Sequence, residues 1–328
     1  MSRAWLATGA ILLLLAAAVV ASLATGRVWL TPAELIAGIS APKPNLAWLI
    51  LTELRLPRAI LALMVGATLG LSGAVLQGLL RNPLAEPGLL GVSGGAALGA
   101  VLAIYFGLSA SFALAVPLLG ILGAMLAGAL TFAFGRGGTL TLILAGAAVS
   151  GLTGAGLSLA LNFAPSPYAA YEITTWLLGS LSDRDWRQLG VAAPFIVTGW
   201  LALATTMRAL DALTLGDAQA ESLGIDLART RFLALAGTAL AVGAATSVTG
   251  AIGFVGLVAP HLVRPVVGHQ PSRILLPSAL LGAVLLLAAD VATRLIPTAN
   301  ELKLGVLTSL VGTPFFFWLV VRLRRTSP

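Results

Sequence analysis

Residues 59–80 read AILALMVGATLGLSGAVLQGLL, an uncharged stretch whose only polar side chains are Thr68, Ser72 and Gln77. A helix rising 1.5 Å per residue would carry it across the roughly 30 Å hydrocarbon core of a bilayer. A transmembrane β-strand would alternate apolar and polar residues at every second position, which neither this stretch nor Ala10–Leu15 does. Breaking the 328-residue chain at its charges and its Pro and Gly clusters gives similar stretches near 5–25, 88–107, 112–134, 139–163, 190–207, 232–250, 252–267, 274–293 and 304–321. Only 9% of residues are charged and 58% are hydrophobic, against roughly 25% charged in soluble domains. The mean hydropathy is +1.00. The expectation is an all-α polytopic membrane protein of about ten helices, a single transmembrane domain over residues 1–328.

An even number of spans puts both termini on one side, and Arg3, Arg322, Arg324 and Arg325 place that side in the cytoplasm. The N-terminal stretch is charged and then apolar like a signal peptide, but its apolar run is long enough to be the first span. With this orientation Arg3, Arg81, Arg136, Arg208, Arg229, Arg231, Arg264, Arg273, Arg322, Arg324 and Arg325 lie inside. Arg27, Lys43, Arg55, Arg58, Arg184, Arg187, Arg294 and Lys303 lie outside. The bias toward the inside is weak, and the outer cations need a reason. Two non-spanning segments fall outside, 26–56 and 164–189, the second containing the amphipathic run Tyr171–Leu181. Residues 208–231 fall inside. There Asp211, Asp217, Gln219, Glu221 and Asp226 alternate with Leu213, Leu215, Leu223 and Ile225, a pattern for one or two short helices broken at Gly216 and Gly224. Such a segment is either a solvated linker or a docking element. Small residues four apart, as at Gly66 and Gly70, Gly91 and Gly95, or Gly95 and Gly99, predict close helix packing.

The chain has no cysteine and two histidines. Disulfides, thiolate metal sites, iron–sulfur clusters and a Cys nucleophile are excluded, no cofactor is expected, and a naked transition-metal ion is a poor cargo. The net charge of +7 comes from scattered basic residues without a stripe, which argues against nucleic acid. Gly91-Val92-Ser93-Gly94-Gly95 satisfies G-x-S-x-G, with His261 or His269 as the only bases, but no strand-to-helix elbow surrounds it. Lys43 and Lys303 are the only lysines and neither sits in a Walker A motif, so ATP-driven work needs a separate subunit. Asp290 and His261 are the intramembrane candidates for a proton relay, each close to an arginine, Arg294 or Arg264.

Arg55-Leu56-Pro57-Arg58, Ser72-Gly73-Ala74-Val75-Leu76-Gln77 and Arg81-Asn82-Pro83-Leu84-Ala85-Glu86-Pro87-Gly88 form an ordered set of motifs. They are followed by Leu215-Gly216-Asp217-Ala218-Gln219-Ala220-Glu221-Ser222-Leu223-Gly224, by residues 250–261 (GAIGFVGLVAPH), by 276–283 (LPSALLGA), by Glu301-Leu302-Lys303-Leu304-Gly305 and by Gly312-Thr313-Pro314-Phe315. From about residue 50 to the C-terminus this set closely resembles the FecCD-type permease family of bacterial ABC importers for iron chelates (siderophore, haem) and cobalamin.

The resemblance implies a type II ABC importer permease bundle in the bacterial inner membrane. It would pair with a second copy of itself around a central path, served by two cytosolic ATPase subunits and a periplasmic substrate-binding protein. It implies no catalysis by this chain, and a chelated-metal cargo, an iron–siderophore complex first, with haem or cobalamin the alternatives. Segment 208–231 then matches the coupling helices, with Leu215, Gly216, Ala218, Ala220, Leu223 and Gly224 seating against the ATPase. Arg55, Arg58 and Arg294 match positions that receive acidic residues of the binding protein, a pairing that steers docking and fixes orientation. Thr68, Ser72 and Gln77 are expected to line the path. Residues 166–172 (SPYAAYE) and 179–184 (GSLSDR) look more like the haem and siderophore branches than the cobalamin branch.

Overall fold

The computed structural model describes residues 3–26, 28–40, 45–297 and 301–326. Arg27 and Lys43, two of the outer cations above, lie outside the described residues, as do the side chains of Arg3, Arg324 and Arg325. Among the described residues there is no strand. The helices are α1 (Arg3–Ala24), α2 (Pro32–Ser40), α3 (Leu46–Leu49), α4 (Leu56–Leu79), α5 (Val92–Tyr105), α6 (Leu108–Ser111), α7 (Ala115–Phe134) and α8 (Thr139–Asn162). They continue as α9 (Pro167–Leu177), α10 (Trp186–Ala204), α11 (Met207–Leu213), α12 (Asp217–Ser222), α13 (Leu227–Thr249), α14 (Val255–Val267), α15 (Pro271–Leu295) and α16 (Leu304–Thr326). Eight described helices are long and apolar enough to cross a membrane, and the shorter apolar α5 and α14 stand where the other two spans are expected.

The interruptions differ from the sequence expectation in instructive ways. The outer segment 26–56 is not all loop: α3 runs through a π-helical turn, Ile50–Arg55, directly into α4, giving one helix over Leu46–Leu79. Arg55 and Arg58 therefore stand on a helix, with Pro57 tolerated in the first turn of α4, where its missing N–H costs nothing. Segment 164–189 contains α9, whose Ser166 side chain caps the amide of Ala169 at 3.1 Å. It also contains the start of α10, where Asp185 and Gln188 form a capping box. Where one or two short helices were expected over 208–231 there are two, α11 starting just ahead at Met207, and the breaks fall where Gly216 (φ 111°) and Gly224 (φ 83°) adopt left-handed backbone. α13 begins at Leu227, several residues before 232, because the Asp226 side chain caps the Arg229 amide.

α4 is the axis of the bundle. A Cβ at Gly66 would collide with the Gly282 carbonyl of α15, one at Gly70 with the Ser278 carbonyl, and one at Gly73 with the Gly256 carbonyl of α14. In a bilayer, where lipid removes the hydrophobic drive between helices, this backbone-to-backbone approach is what small residues supply. The same device joins α5 to α7 at Gly95 and Gly123, and α10 to α13 at Gly199 and Gly237. α5 and α14, of 14 and 13 residues, extend only about 20 Å. Before α5 the chain re-enters the bundle through residues 80–91, and Ser150 at the middle of α8 donates to the Gly88 carbonyl at 3.0 Å. Irregular backbone at that depth is tolerated because protein surrounds it.

Candidate functional site

At the end of the bundle carrying Arg55, a single carboxylate organises the charges. Asp290 of α15 is fully enclosed, at 0% exposure. Its Oδ1 accepts from Arg58 Nε at 3.0 Å and Nη2 at 2.7 Å, and its Oδ2 accepts from Arg294 Nη2 at 2.6 Å. Arg58 also donates to Glu301. Arg294 Nη1 donates to the carbonyls of Ser22 and Thr25, each at 2.9 Å. Arg55 donates to those of Leu23, Ala24 and Val28. These are the last carbonyls of α1 and its following turn, which lack intrahelical donors and sit at the negative end of the helix dipole. The cluster thus ties α1, α4 and α15 together.

Arg55 is 6% exposed and its guanidinium is engaged by backbone, and Arg58 and Arg294 share Asp290. The sequence singles out Arg55, Arg58 and Arg294 but not that the carboxylate 232 residues from Arg58 joins Arg58 to Arg294. Beside the cluster opens a cavity of about 770 Å³, bordered by Glu53, Asp183, Arg184, Asp185 and Glu301. Burial works to raise the Glu301 carboxyl, but hydrogen bonding to Arg58, the Arg58 charge, the Ser182 hydroxyl and the Arg294 charge hold it below the usual carboxylate range. Arg184 Nε is buried without a hydrogen-bond partner among the described residues.

The residues expected to line the path are enclosed within this one chain, though Gln77 borders a small cavity at the far end of α4. Thr68 and Ser72 are 0% and Gln77 2% exposed within this one chain. Thr68 Oγ1 accepts from Trp200 Nε1 at 2.9 Å. Gln77 accepts from Arg264 Nη2 at 2.6 Å, and the Ser72 hydroxyl is buried without a partner. Thr68 is covered by Trp200 of α10, whereas Gln77 lies on the glycine face of α4, where α14 closes over it.

α8 turns a run of small residues outward. Ala147, Gly151, Gly154, Ala155 and Ser158 are exposed, and a Cβ at Gly151 or Gly154 would meet no atom within 4 Å. The spacing of Gly151, Gly154 and Ser158 was a signal, but Ala, Gly and Leu give little polar contrast around a helix.

At the opposite end, α11 and α12 present apolar side chains outside the long spans. Leu215 and Leu223 are 61% and 64% exposed, and Ala218 and Gly224 are also exposed. Gly216 is half-buried at the turn, and Ala220 is 0% exposed, packed against its own bundle, so it is not available to a partner. The segment is held in place by Asp217, which accepts from Arg81 at 2.7 Å and Arg231 at 2.9 Å. Asp211 likewise accepts from the Ser272 amide at 2.9 Å and from the Ser272 hydroxyl and Gln270, each at 2.7 Å.

A helical membrane bundle with a pinned, apolar-faced segment at one end and an arginine-rich cavity at the other defines the class: a polytopic transport permease. The FecCD transport family model matches residues 13–322, and the chain belongs to that family of ABC transporter permeases. It is 39% identical over 283 residues to the hemin transport system permease protein HmuU of Yersinia pestis, covering 84% of each chain. It is 41% identical over 307 residues to the vitamin B12 import system permease protein BtuC of Vibrio cholerae, covering 92% of this chain and 89% of that one. Among solved structures it is similar, at TM-score 0.86 and 34% identity over 96% of this chain and 98% of the other, to a transporter assigned to the metal-chelate type of ABC transporters in an inward-facing conformation.

Proposed function

We propose that this chain is the inner-membrane permease subunit of an importer that carries a metal chelate to the cytoplasm, driven by ATP hydrolysis in partner subunits. The observation that carries the reading is the α11–α12 segment. It projects Leu215 and Leu223 while Asp217 and Asp211 fix its backbone to the bundle, which is what a rigid lever against a second protein requires. The α11–α12 side and both termini face the cytoplasm, and the arginine cavity faces the periplasm. There the binding protein docks, with Arg58, 13% exposed, at its floor and Arg55 and Arg294 holding the floor in shape. The exposed small face of α8, rather than Thr68, Ser72 and Gln77, borders the path between two copies of the chain.

For the cargo, the names of the relatives favour haem or cobalamin over an iron–siderophore complex. The deciding experiment reconstitutes the chain with its ATPase in proteoliposomes and adds binding proteins loaded with haem, cobalamin or a ferric siderophore. The expected result is that one loaded binding protein stimulates both ATP hydrolysis and uptake. A verified, active complex that transports none of the three sinks the cargo class. A proton-coupled carrier has less support, because Asp290 is clamped between two guanidiniums. Collapsing the proton gradient with ATP maintained is expected to leave uptake intact.

A further inference from the structure

We infer that the α11–α12 end of the bundle carries a binding site for a phosphate-class oxyanion, a small cavity walled by α4, α14 and the turn into α15, its polar side chains set among Ala74, Pro271 and Ile274. The cavity holds about 130 Å³ and is bordered by Gln77, Arg81, Thr214, Arg264 and His269. At about 30 Å³ per water that is room for roughly four waters, enough for a tetrahedral anion. The case rests on its charge. Arg264 reaches across from α14 and donates to Gln77 Oε1 at 2.6 Å, a neutral acceptor. Among the described residues it makes no ion pair. Arg81 does have a carboxylate, Asp217, but that group is shared with Arg231. The next acid, Asp211, turns its oxygens toward Ser272 and Gln270, with Arg273 beside it.

The cavity therefore has two guanidiniums and an imidazole on its wall and only half a counter-charge. Partly enclosed charge is costly unless paired. Guanidiniums of α14 and the end of α4 on the wall of one cavity suit a ligand with several acceptor oxygens better than a spherical ion. A bound phosphate group would link α14, which packs on Gly73 of α4, to the Arg81–Asp217 contact that fixes α12. The group has two possible sources, a phospholipid headgroup or free phosphate. Only the choice between them rests on the orientation proposed above; the binding itself does not.

The test uses the full chain purified in a non-ionic, phosphate-free detergent buffer, titrated with inorganic phosphate at constant ionic strength while thermal unfolding is followed. The expected result is a saturable rise in the unfolding midpoint with phosphate and sulfate that chloride does not reproduce. The rise should be lost in Arg264→Gln and partly kept in Arg264→Lys. If Arg264→Gln fails to fold, the exposed positions supply the variant: His269→Gln is expected to weaken the phosphate response while leaving the midpoint without phosphate unchanged. Native mass spectrometry separates the sources. A retained phospholipid that free phosphate displaces, and that the variants lack, assigns the site to a headgroup, and its absence with a positive titration assigns it to free phosphate. No saturable response and no Arg264-dependent lipid overturns the inference, as does an Arg264 whose only anionic partner is an acidic side chain of the ATPase. Neither result bears on transport, so failure here is distinguishable from failure of the importer reading.

Discussion

α4 and α8 are both 24 residues long, both apolar and both rich in small residues, yet they occupy opposite environments. Of their 24 residues each, 18 are buried in α4 and 6 in α8. In α4 Gly66, Gly70 and Gly73 meet carbonyls of α14 and α15, whereas in α8 Gly151 and Gly154 meet nothing within 4 Å. The same small-residue chemistry serves closure within one chain in the first case and leaves a face for something outside it in the second. Charge accompanies the difference: α4 carries Arg58 into the Asp290 clamp, while α8 has no charged residue.

The largest stability effect is expected at that clamp. Asp290→Asn leaves Arg58 and Arg294 beside each other without their carboxylate, at about 3–5 kcal/mol, read as loss of monodisperse protein or a steep fall in unfolding midpoint. A variant as stable as the parent would show that the clamp does not hold α4 in the core. Next, Gly73→Val in α4 is expected to cost about 1–3 kcal/mol by overpacking. Gly154→Ala in α8 should stay within about 0.5 kcal/mol and instead impair transport. Equal stability costs for the two would erase the contrast between the helices.

A pH titration sharpens the same comparison. The Glu301 carboxyl is held below its usual value in the folded protein, so its contribution is fully present above the unfolded pKa of about 4.3 and fades as pH falls through the lower folded value. Glu301→Gln is expected to flatten the acid limb of the unfolding-midpoint profile, and an unaltered limb would remove Glu301 from the outer cluster. The smallest stability effect is expected for Leu215→Ser with Leu223→Ser, within about 0.5 kcal/mol, since both side chains are exposed. Co-purification with the ATPase should be lost nonetheless.

Much of the span pattern was legible because an uncharged run of twenty residues has few alternatives in a chain this apolar. The two breaks at Gly216 and Gly224 were legible too, since left-handed backbone favours glycine. The docking, path and coupling residues were less so. Thr68, Ser72 and Gln77 read as path-lining because they are the polar side chains of α4, but whether such a side chain meets a channel or a Trp200 indole depends on which helix covers it. Ala220 fits the pattern of a seating residue, and its burial against the bundle is set by the rotation of α12, which six residues of sequence do not specify.

The sequence alone determined that this chain spans a membrane about ten times, that it has no thiol chemistry or Walker A motif, and which family it resembles. These follow from local properties: transfer free energy summed along a helix, and the presence or absence of particular side chains. The tertiary structure alone decided that Arg58 and Arg294 are tied to Asp290 and Arg55 and Arg294 to the end of α1, that α4 is core while α8 keeps an open face, and that Arg264 is left without a carboxylate among the described residues. Each depends on partners tens to hundreds of residues away, and an ion pair or a glycine contact has no signature in either segment until the helices that carry it are brought together.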